Sequence, residues 1–272
     1  MSSIVEELLP DQVMPCRVTR EPYLAERVVM IGGHPGCGKS LMPSIVGSFH
    51  RVEIPTYNYP LEYFCGLDFL GRLDEDVIMA MIRMLTDLAL YHVVQGRCVN
   101  FRWTDFTSVF RNTGTWRYLR RIFQAGDAAA VKRIRQIHPI LQLTIHNVML
   151  FVPAWFRALG DRLRIVELVR HPLYMVKQGE IYFRMFGTDA REFSLWIDWQ
   201  GQALPFFAHG WEAQYAQANA MDRVIYTMDR LTAQRDTFIQ QLSDRQRAQI
   251  LTVPFEPFVL EPRPYLKRLE TL

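Results

Sequence analysis

Lysine is scarce in this chain, with four among 272 residues, and so is cysteine, also with four. Cys16, Cys37, Cys65 and Cys98 are scattered and form no C-x-x-C pair, which argues against a zinc site or a disulfide framework and predicts reduced thiols. The formal charge is only +3, too small for the basic stripe that nucleic-acid binding needs, so no nucleic-acid partner is expected. No apolar run reads as long enough to span a bilayer, so no transmembrane segment is expected. The opening Met1-Ser2-Ser3-Ile4-Val5-Glu6-Glu7 lacks the basic-then-apolar order of a secretory leader, and a cytoplasmic location is the expectation. There is no internal repeat or low-complexity segment.

With 49% hydrophobic and 22% charged residues, the chain reads as globular and long enough for a large core. One α/β domain over residues 1–272 is the default, with about 55–139 as a helical insertion or acceptor-side region. Its most specific feature is the apolar strand Val28-Val29-Met30-Ile31-Gly32 running into Gly33-His34-Pro35-Gly36-Cys37-Gly38-Lys39-Ser40, a G-x-x-x-x-G-K-S pattern. Such a loop curls so that successive backbone N–H groups face phosphate oxygens. Lys39 adds a point charge, and a helix starting near Ser40 adds its N-terminal dipole. One of only four lysines falls here.

Residues 1–25 read as irregular, punctuated by Pro10, Pro15 and Pro22. Beyond the loop a short helix containing Pro43 is expected, then a strand at Val52-Glu53-Ile54 and a surface loop from Pro55 to Pro60. Asp74 to Val94 has helical periodicity and Gly96 stops it. Cys98 to Trp103 is a strand candidate, residues 115–136 read as an arginine-rich helical stretch broken at Gly126-Asp127, and Ile140 to His146 and Leu163 to Val169 as strands around a helix at Val152 to Leu159. The arginine-rich stretch is either a solvated face or a docking surface for an anionic acceptor. Later expectations are helices at Phe193 to Phe207, His209 to Ala220 and Thr232 to Leu242, a strand at Arg223 to Thr227, and a surface tail at Pro254 to Phe258. The alternation implies a parallel β-sheet flanked by helices on both faces, with ligands at the carboxyl ends of the strands.

Taken together, Val28 to Ser48 and Ile140 to Gln178 resemble the P-loop sulfotransferases. That family carries G-x-P-[KR]-[SA]-G-T-T after its first strand, and Gly33, Pro35, Cys37, Gly38 and Ser40 fall at matching or similar places. Its second signature, a strand ending in arginine closely followed by proline, is similar to Leu163 to Val169 with Arg170, His171 and Pro172. Gln178 stands where the family has a serine that, with the arginine, holds a 3′-phosphate. Leu143-Thr144-Ile145-His146-Asn147 resembles the segment carrying the family's catalytic histidine, and Arg223 to Leu231 resembles its late strand-and-turn, keeping only Asp229 and Leu231. The resemblance implies a P-loop fold of the sulfotransferase and nucleotide-kinase kind, and 3′-phosphoadenosine 5′-phosphosulfate (PAPS) as donor. It also implies a hydroxyl or amine of a small-molecule or glycan acceptor, His146 as base, Lys39 and the loop at the leaving phosphate, and Arg170 with Gln178 at the 3′-phosphate.

Two departures keep other readings open. Gly36 replaces the family's basic residue and Lys39-Ser40 its threonine pair, so the loop is spelled as in ATP- and GTP-using enzymes. In a kinase, Mg-ATP would be the donor, Ser40 would ligate magnesium, and Asp105 would be the best placed carboxylate, with Glu167 second; a capping or ion-paired role suits either carboxylate as well. A nucleotide-binding module without transfer is the third reading. His34 lies in the loop and can touch phosphate, whereas His138 and His171 precede prolines and shape turns. Tyr57, Tyr59, Tyr63, Phe64 and the Trp196 to Trp199 segment either line an acceptor cleft or pack the core.

Overall fold

Each of the five residues of the first strand, β1 (Val28–Gly32), is buried in the computed structural model, and it pairs in parallel on both sides. A run buried on both faces and lacking polar alternation belongs in the middle of a parallel sheet. The structure describes residues 16–21, 23–105, 107–190 and 192–272. The readings of Met1 to Glu7 and of Pro10, Pro15 and Pro22 lie outside them.

After β1 come α1 (Met42–Val46), β2 (Thr56–Tyr57), α2 (Tyr59–Phe69), α3 (Glu75–Gln95), α4 (Thr115–Arg121), α5 (Ala128–Ile137), β3 (Leu141–Thr144) and α6 (Val152–Leu159). The second half holds β4 (Leu163–Val169), α7 (Pro172–Met185), β5 (Trp196–Trp199), β6 (Gln202–Pro205), α8 (Glu212–Gln217), α9 (Ala220–Gln241), α10 (Asp244–Arg247), β7 (Ile250–Pro254), α11 (Phe255–Leu260) and α12 (Pro262–Thr271). The main sheet runs β2-β3-β1-β4-β7, all parallel, so the α/β class stands as expected. The period of two along β1 assigns its faces: Val28 and Met30 join a core with Leu143, Ile165 and Trp155, while Val29 and Ile31 join another with Met42, Val166, Met175 and Phe258. Burying each such aliphatic side chain contributes roughly 1.5–3 kcal/mol. The chain leaves β1 toward one edge of the sheet and β4 toward the other. Their carboxyl ends therefore flank the switch point where α/β sheets open a crevice.

The structure corrects several expectations. Of Val52 to Ile54 only Val52 bridges the sheet, to Ile140; Glu53 is drawn into an ion pair with Arg121, and the edge strand forms two residues later as β2, inside the expected loop. Cys98 to Trp103 is not a strand, because Asn100 accepts from Arg102 N and Asp105 from Thr107 N, and such side-chain bonds pull the backbone into turns. The expected helix at Phe193 to Phe207 is the antiparallel hairpin β5–β6, turning at Gln200 and Gly201, both at positive φ. The expected strand at Arg223 to Thr227, and with it the likeness to a late strand-and-turn, lies inside α9, whose buried Val224, Thr227 and Leu231 follow a helical repeat. Pro254 to Phe258 is not a surface tail: it joins strand β7 to α11, with Phe258 buried.

α3 corrects the reading of hydropathy too. Its 21 residues, with mean hydropathy 1.6 over the most apolar window, are long and apolar enough to cross a bilayer by length and composition, and half of that window is buried inside the fold. Ile78, Ile82, Leu90 and Val94 pack in the core, and buried Asp87 accepts from the backbone N–H groups of Leu24 and Ala25 and from Arg20.

Candidate active site

The loop Gly33–Ser40 leaves β1 at the switch point. Gly33 sits at φ +146°, and a Cβ there would lie 2.4 Å from the Leu168 carbonyl oxygen of β4; Gly38 sits at φ +87°, and its Cβ would lie 2.2 Å from the Phe255 ring. Only glycine meets both demands, so the loop is pressed between β4 and α11. Cys37 N donates to His34 O and Leu41 N to Gly38 O, and α1 begins only at Met42. Since α1 has five residues, the loop's own N–H groups, more than a helix dipole, supply its anion-attracting character. Lys39 Nζ donates to Gly33 O at 3.5 Å and makes no ion pair among the described residues, while burial lowers its pKa. Ser40 is exposed and Pro35 lines the neighbouring cavity. His34 is pushed down to about 4, by burial first and then by Lys39 and Arg235, so a neutral imidazole sits in the loop at neutral pH. Burial raises the Cys37 thiol and leaves it protonated.

Arg170 directly follows β4 and reaches back to the loop. Its Nη1 donates to Gly36 O at 3.0 Å, its Nε lies 3.4 Å from Glu256, and the guanidinium covers the Phe255 ring at 4.7 Å. The backbone of Met175 in α7 closes on Gly36 from the same side. Gln178 is exposed on α7 with no hydrogen bond of its own among the described residues, and the structure does not join it to Arg170.

His146 follows β3, the strand on the other side of β1. Its Nδ1 lies 3.2 Å from the Glu62 carboxylate, which accepts the ring proton there and leaves Nε2 as the proton acceptor. Tyr57, at the end of β2, stacks on the imidazole at 6.0 Å and 13°, and Tyr59 at 6.4 Å and 25°, fixing its plane. His146, Glu62, His34 and Pro35 line one cavity of about 220 Å³, together with Phe and Tyr rings from Tyr59 to Phe207, the second carboxylate Glu192 and several aliphatic side chains. Two further lining residues carry buried polar atoms without a hydrogen-bond partner among the described residues, Asn147 Oδ1 and Thr227 Oγ1. Buried polar atoms are rarely left unpaired, so these two can bond water or a polar group of a molecule in the cavity. Of the aromatic residues expected at a cleft, Tyr59 and Tyr63 line the cavity, Tyr57 backs the histidine, and the hairpin tryptophans stand outside the lining.

The carboxylates sort differently from expectation. Asp105 accepts from Thr107 N and Oγ1 and holds its own turn, and the Thr107 N–H is the main cause of its lowered pKa. With no strand before it, the premise for a metal-holding carboxylate at a strand end is gone. Glu167, in β4 opposite Gly32, is buried, bonded by Thr252 and paired with Arg235 at 2.6 Å; burial nonetheless raises its pKa. No cluster of three or more His, Cys, Asp or Glu side chains suited to a metal occurs among the described residues.

Sequence reasoning missed Glu62, Asn147, Thr227 and Glu256. Glu62 lies 84 residues before His146, and no local pattern links them. Asn147 alone had a signal, being next to the histidine.

No family model and no curated protein matches the chain. Among solved structures it is similar to a sulfotransferase domain from the curacin biosynthetic pathway, at 12% identity over 89% of this chain and 72% of that one, with a TM-score of 0.45. It is also similar to a sulfotransferase from Alicyclobacillus acidocaldarius, at 12% identity over 89% of this chain and 80% of that one, with a TM-score of 0.40. At such values the reading of the site rests on its own residues.

Proposed function

We propose that the chain is a sulfotransferase that moves a sulfuryl group from PAPS to a hydroxyl or amine of an acceptor held in the aromatic cavity. The observation that carries this reading is the His146–Glu62 pair, lining one cavity with His34 and Pro35 of the glycine loop. A proton acceptor on that wall and a phosphate cradle beside it are what transfer between a phosphate-bearing donor and a nucleophile requires.

PAPS, when bound, supplies the sulfuryl group and leaves as the bisphosphate. The loop N–H groups and Lys39 neutralise charge on the leaving phosphate, and His34, neutral in place, adds no competing charge there. His146 takes the acceptor proton at Nε2 while Glu62 holds its tautomer. Asn147 and Thr227 orient the acceptor by hydrogen bonds, and the aromatic walls exclude water. Arg170 places a cation against Gly36, the position at which the resembled loop carries its own basic residue. Its fit to a 3′-phosphate is partial, because Glu256 already faces the guanidinium and a phosphate there would displace it.

A Mg-ATP-dependent kinase remains the second reading, favoured by the Lys39-Ser40 spelling. Incubating the chain with labelled PAPS, or with labelled ATP and magnesium, over a panel of phenols, alcohols and amines separates the two. The proposal expects label to pass from PAPS only, and to be lost in His146→Ala; transfer from ATP alone overturns it.

A further inference from the structure

Between residues 97 and 123 the chain places six arginines against one acidic residue, Asp105; Arg121 is neutralised by buried Glu53 and Arg97 lies 4.0 Å from Asp127, which leaves Arg102, Arg111, Arg117 and Arg120 as the cations without a carboxylate partner among the described residues. The same stretch concentrates exposed aromatic surface: Trp103 is 66% exposed, Trp116 74% and Phe123 88%, with Phe101, Phe110 and Ile122 exposed beside them. Local structure explains why these groups face outward. α4 turns its polar anchor inward, where Arg121 pairs bidentately with buried Glu53 at 2.7 and 2.8 Å and the Tyr118 hydroxyl donates to the same carboxylate. With Tyr118 and Arg121 committed to the interior, Trp116, Arg120 and Phe123, spaced four and three residues apart, form the opposite stripe. In the preceding loop, Phe101 and Trp103 pack on Phe110 at 6.1 and 5.4 Å, and Arg111 holds the Trp103 carbonyl. Their outer faces stay in solvent. Arg102 and Arg120 are exposed and make no ion pair among the described residues.

We propose that this stretch is a docking surface for an anionic lipid bilayer. Clustered exposed aromatic groups such as Phe101, Trp103 and Phe110 mark interaction sites, and tryptophan and phenylalanine near arginine in the chain suit the boundary between acyl chains and negative headgroups. Charge complementarity selects the sign of the partner.

The test is co-sedimentation of the full chain with vesicles of phosphatidylcholine alone and of phosphatidylcholine mixed with phosphatidylglycerol. Tryptophan fluorescence and quenching by brominated lipid are read in parallel. The proposal expects binding to the mixed vesicles about tenfold or more tighter than to phosphatidylcholine, weakened by salt, with a blue shift on binding. It expects Trp103→Ala/Trp116→Ala/Phe123→Ala to abolish the shift and Arg102→Gln/Arg120→Gln to remove the preference for negative lipid. The arginine pair is surface-exposed and serves as the folded variant if the triple one unfolds. Equal binding to both vesicles, binding to neither, or binding untouched by either variant overturns it, and a dimer in sedimentation that the triple substitution dissolves would assign the surface to a second copy of the chain instead.

Discussion

The two sides of the candidate site are built from different materials. The glycine loop is made by backbone: Gly33 and Gly38 are pinned between β4 and α11 with no room for a Cβ, and Arg170 is tied to a loop carbonyl. The cavity is made by side chains from α2, α7, α9 and the residues around the β5–β6 hairpin, with two polar atoms unpaired among the described residues. A backbone cradle admits one ligand shape and fails as a unit, whereas a side-chain cavity can be altered one wall at a time. Donor recognition is thus expected to be brittle and acceptor recognition adjustable.

The largest effect that would break this contrast is at Gly33. Gly33→Ala forces a Cβ against a β4 carbonyl at a strained φ, and is expected to cost about 2–4 kcal/mol of stability and to abolish donor binding, read by denaturant unfolding and calorimetry. A variant that still binds donor normally would show the loop is not the cradle. Next in size, His146→Ala is expected to lower kcat by roughly a hundredfold to ten-thousandfold while leaving donor affinity unchanged, since the ring belongs to the cavity side. A smaller effect of opposite sign is expected at Glu256. Removing its charge in Glu256→Gln frees the Arg170 guanidinium and should tighten 3′,5′-bisphosphoadenosine binding by up to about tenfold, with no change for Mg-ATP.

A further effect is on stability and depends on pH. His34 has its folded pKa depressed to about 4 from 6.5, so between those values the unfolded chain binds a proton that the folded chain refuses. Its contribution to stability is present in full above 6.5 and is lost as pH falls to about 4. His34→Gln should flatten the stability profile across that window, as thermal melts at stepped pH would show.

Legibility followed the same division. β1, the loop, α6 and β4 could be placed from sequence because apolar runs there end abruptly in Gly, Pro or Arg, and local chemistry decides them. The hairpin could not: Trp196, Ile197 and Trp199 suit a helix face as well as a strand, and the Gln200-Gly201 turn is not a strong signal. Likewise Val224 to Thr227 is rich in strand-forming side chains and became helix because α9 buries Val224, Thr227 and Leu231 at helical spacing against α7 and the core, leaving Ile225 exposed. On the site, Lys39, Arg170 and His146 were visible as residues, but their partners Gly33 O, Glu256 and Glu62 were not. Those contacts depend on which strand ends the sheet brings together, and on α2 and α11 folding over them.

The measurement that tests the central claim most directly is calorimetric titration of the chain with 3′,5′-bisphosphoadenosine in the absence of magnesium, with Mg-ATP as the comparison. The account predicts magnesium-independent binding of the bisphosphate that is lost in Arg170→Ala and kept in His146→Ala. Binding of Mg-ATP alone, abolished in Ser40→Ala and indifferent to Arg170→Ala, would contradict it.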